Sequence, residues 1–156
     1  MELKLTLALP QDSLSIPVVR KTLGGSMAVL GVDEGCCADI EVAISEACTN
    51  VLNHTVEGDQ YEVVCCFDEQ VCVIEVIDRG HGFDGESLGR VDAEPTAERG
   101  RGIQLMRALV DNIRFESKPE RGTVVRFEKR LEWSDDAPVK QLSASSRSMG
   151  GDSPSG

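Results

Sequence analysis

The sequence predicts a two-layer α/β sandwich, in which a mixed, mostly antiparallel sheet is covered on one face by helices. Two observations predict this class. Apolar residues alternate with polar ones in short β-rich runs, four of which form two closely spaced pairs. Apolar residues recur at helical spacing in two longer segments near the start and one shorter segment near residue 105. No internal repeat is present, so the elements are expected to form a single layered unit.

The first strand is predicted over residues 2–9, because leucine at every second position gives this segment one apolar face. A turn from Pro10 to Ser15 follows and can supply a helix cap. The first helix is predicted over residues 16–30, where Gly24 and Gly25 weaken its second half.

The second helix is predicted over residues 36–54, after a break at 31–35. At about 100° per residue, Glu46, Asn50 and Asn53 lie within roughly 60° of each other. A neighbouring arc is apolar and should dock on the core. Packing alone therefore gives no reason for a carboxylate and two amides along its margin. The apolar arc consists of Ile40, Ala43, Ile44, Ala47 and Val51.

The rest of the chain is predicted as two strand pairs around a helix. Residues 61–67 and 71–77 form a hairpin, and strands near 112–117 and 122–130 form a second pair. Between them, a Gly-, Asp-, Glu- and Arg-rich stretch from 78 to 102 is long for a passive connection. A short helix should follow, carrying Ile103, Met106, Leu109 and Val110.

The polar, serine-rich segment after Trp133 predicts a domain over residues 1–133 and a disordered tail over 134–156. The net charge of −11 argues against direct nucleic-acid binding. No apolar run approaches the roughly 20 residues that span a bilayer. The N-terminus does not resemble a signal peptide, so a cytoplasmic protein is expected without a membrane partner.

The six cysteines are predicted to be free thiols. None forms a CxxC pair, and most lie within apolar helix or strand patterns. Without a secretory signal, a disulfide framework is not indicated. Two histidines and no paired ligand spacing give no sign of a zinc site.

Chemistry is predicted first where VIDRGHGFDG follows directly on a strand. Asp78 closes that strand, and Gly80 and Gly82 let the backbone turn tightly and approach a ligand. A second glycine-rich stretch, ERGRGIQLM, places Gly100 and Gly102 just before a helix.

Free N–H groups and the positive dipole end at such a helix start suit a phosphate. Arg99 and Arg101 can add positive charge there. Taken singly, DxGxG and GxG motifs are also found in ordinary turns. In this order after an ExxxN helix, they form a specific constellation.

The sequence resembles the ATP-binding fold shared by gyrase-type ATPases and histidine kinases over roughly residues 2–131. Within that fold it is similar to the anti-sigma factor serine kinases of bacterial partner-switching systems. SEACTNVLNH resembles the N-box, VIDRGHGFD and ERGRGIQLM resemble the two glycine boxes, and Gly122-Thr123 resembles the terminal G-T pair.

The resemblance implies a role for each motif residue, beside a structural alternative. Asn50 would hold Mg²⁺ against the phosphates, or cap a local backbone group. Glu46 would be the catalytic base, or a solvated helix carboxylate. Asp78 would accept from the adenine amino group, or end a strand. Thr123 would support the adenine side, or only its strand, and Asn53 would line the same pocket.

The implied function is an ATP-dependent protein serine kinase that is also an anti-sigma factor. It would sequester a sigma factor and phosphorylate a serine of a small antagonist protein, with ATP and Mg²⁺ as cofactors and commonly as a homodimer. The segment from Phe83 to Arg99 would be the lid over ATP. The alternative is a catalytically inactive, nucleotide-sensing module that sequesters a regulatory partner.

Overall fold

The computed structural model describes residues 1–53, 60–78, 97–118 and 122–138, apart from the side chains of 97–100 and 117–118. Eight helices and strands lie in these residues. In chain order they are β1 (Leu3–Pro10), α1 (Ser15–Leu30), α2 (Glu34–Asn53), β2 (Gln60–Phe67), β3 (Val71–Asp78), α3 (Ala97–Leu109), β4 (Asn112–Lys118) and β5 (Gly122–Arg130).

The five strands form one sheet in the order β1-β2-β3-β5-β4, and all four pairings are antiparallel. β3 is the central strand, with β2 and β5 beside it, while β1 and β4 lie at the edges. The predicted α/β sandwich with a mostly antiparallel sheet is thereby confirmed. Both predicted strand pairs, β2 with β3 and β4 with β5, are neighbours in this sheet.

The core lies between one face of the sheet, here called the inner face, and the helices. Alternation places every second residue of β2 and β3 on that face, and aliphatic side chains fill most of it because the chain is poor in aromatics. None of the described helices is both long and apolar enough to cross a membrane. The largest fully buried side chains include Tyr61, Phe67, Phe127, Leu23, Met27, Ile40, Ile44 and Ile74.

Helix α2 begins at Glu34, two residues before its predicted start. The carboxylate of Asp33 explains the difference, since its Oδ2 accepts from the backbone N–H groups of Gly35 at 3.0 Å and Cys36 at 3.4 Å. An aspartate in this position caps the otherwise unpaired N–H groups of a helix start. The break after α1 is correspondingly short.

Helix α3 begins at Ala97, so the prediction that Gly100 and Gly102 precede the helix was wrong. Both glycines lie inside it. Ala97 and Glu98 are good helix formers, which favours a helix start before the two glycines. At the other end, Lys129 of β5 donates to the Leu109 carbonyl oxygen at 2.8 Å and fixes the helix to the sheet.

The chain beyond β5 stays packed on the domain through residue 138, past the predicted boundary at 133. Both the backbone N–H and the hydroxyl of Ser134 donate to the Gly31 carbonyl, at 2.9 and 3.0 Å. Ala137 is fully buried. Residues 134–138 therefore belong to the folded unit. Gly31, at the end of α1, has no side chain, and this leaves room for Ala137 to pack against it. The rest of the predicted tail lies outside the described residues.

Candidate functional site

Helix α2 carries the polar margin that its sequence predicts. The apolar arc is buried, with Ile40, Ala43 and Ile44 at 0% exposure, and this holds the helix against the sheet. Glu46 and Asn50, one turn apart, are half-buried beside that arc. Asn53, the last residue of α2, is exposed, so the structure gives it no share in the buried part of the margin.

Glu46 meets the second glycine-rich segment. A Cβ built on Gly102 of α3 would lie 2.7 Å from Glu46 Oε2, closer than real Cβ atoms come to an oxygen. The absence of a side chain at Gly102 is thus what admits the carboxylate. The structure brings together two residues that lie far apart in the sequence and that were singled out from different motifs.

Asp78 and Thr123 are direct partners on the neighbouring strands β3 and β5. Both are buried, with 2% and 7% of their surface exposed, and both point to the inner face. Tyr61 of β2 is the partner of Asp78 on its other side. The carboxylate predicted to bind the nucleobase therefore lies at the end of the central strand, on the helix-covered face of the sheet.

Two polar atoms next to Asp78 are buried without a hydrogen-bond partner among the described residues. They are the hydroxyl Oγ1 of Thr123 and the amide Oε1 of Gln11. The other end of that amide, Nε2, donates to Asp78 Oδ1 at 3.3 Å. An unpaired buried polar group costs about 1–3 kcal/mol, so this end of the sheet is prepared for a polar ligand.

Gln11 is the residue that the sequence did not reveal. It follows β1 in a turn where Asp12 supplies the local hydrogen bonds, and nothing in the pattern sets it apart from other polar turn residues. Its contact with Asp78 spans 67 positions along the chain. Only the pairing of β1 with β2 and of β2 with β3 brings the two together.

A buried chain of hydrogen bonds holds Tyr61, the β2 partner of Asp78, in place. The Ser15 hydroxyl bonds the Tyr61 hydroxyl and donates to the Asp12 carbonyl oxygen at 2.6 Å. Burial raises the pKa of Tyr61, and it raises the pKa of Cys48 to about 12 although a hydrogen bond with Tyr61 opposes that rise. These groups are therefore neutral at physiological pH and serve to fix β2 against α1 and α2.

The remaining predicted residues lie at the rim of the site or outside the described residues. Gly122, which precedes Thr123 at the start of β5, has φ = 77°, a backbone conformation that favours glycine. Arg101 is exposed on the second turn of α3. Gly100 lies in the first turn of α3, but the side chain of Arg99 is not described. Gly80 and Gly82, with most of the predicted lid, lie outside the described residues.

The site thus has two parts on the helix-covered side of the sheet. One is a hydrogen-bonding group that can accept from and donate to a flat polar ligand, made by Asp78, Thr123 and Gln11. The other is the Glu46 carboxylate, which faces Gly102 in the second turn of α3, with the Asn50 amide one turn further along α2. By their chemistry, the first group could hydrogen-bond a nucleobase and the second could accept a proton.

Comparison with known families gives one match that covers most of the chain. The model of the histidine kinase-like ATPase domain matches residues 9–129. That range takes in all the candidate site residues from Gln11 to Thr123.

Relatives of similar length are serine-protein kinases. The serine-protein kinase RsbW of Halalkalibacterium halodurans is 33% identical over 135 residues, covering 81% of this chain and 82% of the relative. The serine-protein kinase RsbW of Bacillus thuringiensis is 30% identical over 122 residues, covering 72% of this chain and 76% of the relative.

A solved structure shares the fold. It contains the RsbU and RsbW domains of a Mycobacterium tuberculosis protein, and it matches 83% of this chain with a TM-score of 0.62 and 24% identity. The match takes in 32% of that longer protein. At this identity the likeness establishes the architecture and no more.

Proposed function

This chain belongs to the histidine kinase-like ATPase family and is a protein serine kinase related to RsbW, and from this premise we propose its substrates, partners and site residues. It transfers the γ-phosphoryl group of ATP to a serine of a small antagonist protein. It also acts as an anti-sigma factor that sequesters a sigma factor. The cytoplasm is the compartment where both partners would be met.

The observation that carries the catalytic part is the contact of Glu46 with Gly102. It places a carboxylate against the second turn of α3, next to the helix start, where backbone N–H groups and the helix dipole suit phosphate. Glu46 accepts the proton of the incoming serine hydroxyl while the new bond from serine Oγ to the γ-phosphorus forms. The bond from that phosphorus to the bridging oxygen of ADP then breaks, and ADP leaves with the bond electrons.

The nucleotide is held at both parts of the site. Asp78 accepts from the amino group of adenine, with Thr123 beside it on β5. Gly80, Gly82, Gly100 and Gly102 let the chain come close to the nucleotide, Arg99 and Arg101 add positive charge at the phosphates, and Asn53 lines the outer end of α2.

The donor set also fits Mg²⁺. The half-buried Asn50 offers one amide oxygen, and Mg²⁺ commonly takes one or two protein oxygens with phosphate oxygens and waters completing its shell. When bound, the ion neutralises charge that builds up on the phosphates during transfer.

Charge gives the switch a physical basis. Phosphoserine adds nearly two negative charges at neutral pH, and this chain already carries −11. Repulsion would then release the phosphorylated antagonist and free the kinase for its sigma factor.

A homodimer is part of the proposal, formed through α1 and the exposed edge of β1, where Leu14, Val18 and Val29 are exposed.

The nucleotide site is tested by calorimetric titration of the protein with ATP and Mg²⁺. We expect binding in the wild type that weakens by at least tenfold in Asp78→Ala and Asn50→Ala. A wild-type protein that binds no ATP would refute the assignment of the site.

Transfer is tested with Glu46→Gln and the matched control Glu41→Gln. The Glu41 carboxylate also lies against a glycine of a neighbouring helix, Gly24 of α1, but it does not face α3. Candidate antagonist proteins are incubated with Mg-ATP and phosphoserine is followed by mass spectrometry. We expect Glu46→Gln to transfer about 100- to 10,000-fold more slowly with ATP binding retained, and Glu41→Gln to match the wild type.

The same assay separates the kinase from its alternative. An inactive sequestering module would bind its partner equally well with either glutamate substituted, and no phosphoserine would form in the wild type. Phosphate transfer that survives in Glu46→Gln at the wild-type rate would remove Glu46 from the mechanism.

A further inference from the structure

Gln11 is fixed in place by the turn that carries it. The Asp12 N–H donates to the Pro10 carbonyl oxygen at 2.8 Å, across Gln11, and the Asp12 carboxylate accepts from Leu14 N–H at 2.9 Å. The Ser15 hydroxyl ties the same turn to Tyr61. The backbone of Gln11 is thereby held between the end of β1 and the start of α1, and its side chain reaches the inner face of the sheet.

The chemistry of Asp78 determines how the Gln11 amide is oriented. A carboxylate only accepts hydrogen bonds, so the amide nitrogen must face it, as it does at 3.3 Å. The amide oxygen then points elsewhere. It is buried and has no partner among the described residues.

The result is a row of groups with a defined polarity. Asp78 and the Gln11 oxygen both accept, and the buried Thr123 hydroxyl can donate or accept. A ligand that fits must bring N–H donors to the two acceptors. The amino group of adenine carries two hydrogens, whereas guanine presents a carbonyl oxygen at the same ring position and would face the carboxylate with another acceptor.

We propose that Gln11 is a positioning and specificity-determining residue of the nucleotide site: its amide nitrogen orients Asp78, and its amide oxygen accepts a hydrogen bond from the amino edge of adenine. This inference rests on the proposed ATP site. Gln11, in the β1–α1 turn, and Asp78, on β3, would then both hydrogen-bond the adenine. The nucleobase would be recognised by residues from two separate parts of the chain.

The test uses Gln11→Met, which keeps the length of the side chain and removes both polar ends. The matched control is Gln70→Met, since Gln70 is exposed in the β2–β3 turn and bonds through its backbone. Its N–H donates to Asp68 Oδ1 at 2.6 Å, and its carbonyl oxygen accepts from Leu131 N–H at 2.8 Å. Each protein is titrated by calorimetry with Mg-ATP and with the Mg complex of purine riboside triphosphate, which lacks the amino group. Thermal unfolding of each variant is recorded alongside.

We expect Gln11→Met to bind ATP about tenfold more weakly, while its affinity for the analogue changes less than about twofold. A merely structural role would weaken both ligands equally, and that result would overturn the inference, as would unchanged ATP binding. A wild-type protein that binds neither ligand would instead refute the proposed site itself. The Gln70→Met control should match the wild type with both ligands.

A second variant covers the case in which Gln11→Met unfolds. Gln11→Glu keeps the shape but places a carboxylate against Asp78, removing the donor. We expect ATP binding weaker than in the wild type near neutral pH. The difference should shrink as the pH is lowered, because a proton on either carboxyl restores a donor between them. A difference that does not depend on pH would contradict the donor role of the amide.

Discussion

Glu46 Oε2 lies 2.7 Å from the point where a Cβ on Gly102 would stand, so the carboxylate of α2 occupies the space that this glycine leaves open on α3. Glycine in a helix interior destabilises it by roughly 0.5–1 kcal/mol relative to alanine. The folded state therefore contains a locally unfavourable residue at the point where the proposed catalytic base meets α3.

Gly102→Ala should separate stability from catalysis. The added methyl displaces the Glu46 carboxylate, and we expect phosphoryl transfer to slow by at least about tenfold, whereas the unfolding temperature stays level or rises. Rates of serine phosphorylation and thermal unfolding measure the two effects.

The matched control for that substitution is Gly24→Ala, where the new methyl would meet Glu41 Oε1 at 2.1 Å between α1 and α2. Glu41 can swing aside, and it has no place in the proposed mechanism. We expect the Gly24→Ala variant to phosphorylate serine at the wild-type rate. Equal losses in the two variants would show that crowding any interhelical glutamate slows the enzyme, and the special position of Glu46 would be lost.

Thr123→Val should weaken nucleotide binding and stabilise the nucleotide-free protein. The Thr123 hydroxyl is buried without a partner among the described residues, so replacing it with a methyl removes an unpaired polar group. We expect the nucleotide-free protein to gain about 1 kcal/mol in its free energy of unfolding, and ATP to bind more weakly. Urea unfolding and calorimetry measure the two quantities.

The exposed Thr6 of β1 supplies the control, since Thr6→Val changes the same atoms on the outer side of an edge strand. It should alter neither quantity by more than about 0.5 kcal/mol. If Thr123→Val loses stability without nucleotide, the hydroxyl has a structural partner and the ligand-ready interpretation is wrong.

The sequence predicted the fold well where local pattern and tertiary packing agree. The alternating leucines of β1 pack against the core, with Leu9 buried and the others half-buried, and the apolar arc of α2 is buried, as their periods predict. It placed the start of α3 too late because Gly100 and Gly102 indicate a loop when read locally, whereas Gly102 serves a contact with a distant glutamate. Periodicity contains no information about such a contact.

Two further contacts were beyond reach for the same reason. Gln11 becomes part of the site only through strand pairing, and Ala137 lies in a segment whose serine-rich surroundings indicate disorder. Both depend on surfaces made by residues more than 60 positions away. Motif order singled out Glu46, Asp78 and Thr123 as candidates, but the geometry that relates them to Gln11 required the folded chain.

Gly31→Ala should be strongly destabilising. Gly31 ends α1 with φ = 88°, and a Cβ there would lie 2.6 Å from the Ala137 Cα, which is backbone and cannot move aside cheaply. Left-handed strain and overpacking together should lower the free energy of unfolding by about 2–4 kcal/mol.

Gly25→Ala is the control within the same helix, because nothing lies within 4 Å of the added methyl. It should raise the free energy of unfolding by about 0.5–1 kcal/mol. Chemical denaturation of both variants gives the comparison. A Gly31→Ala protein as stable as the wild type would mean that Ala137 does not pack there in solution.

Truncation tests how far the folded unit extends. A chain ending after Trp133 loses the Ser134 hydrogen bonds to Gly31 and the buried Ala137, and we expect a clearly lower unfolding temperature. A chain ending after Pro138 keeps both and should unfold like the full chain. If the two truncations behave alike, the boundary predicted at residue 133 stands and the packed segment contributes nothing.

Thiol labelling against pH should distinguish Cys37 from the buried cysteines. Cys37 is half-buried, and burial raises its pKa to about 11, with the nearby Cys36 and acidic side chains adding to the rise. A raised pKa means that the reactive thiolate is scarce below it: near pH 8 it makes up about a thousandth of the thiol. The labelling rate of Cys37, followed by mass spectrometry, should therefore climb about tenfold per pH unit up to about pH 10 without a plateau.

Cys65 and Cys72 serve as the internal control. Their sulfurs lie 3.6 Å apart in the core, and their mutual hydrogen bond, together with burial, raises the pKa of Cys65, so both should stay unlabelled until the protein unfolds. A plateau for Cys37 near pH 9 would show an ordinary thiol, and the packing of the α2 start against Val32 would have to be looser than the 3.6 Å contact from Cys37 Sγ to the Val32 carbonyl oxygen implies.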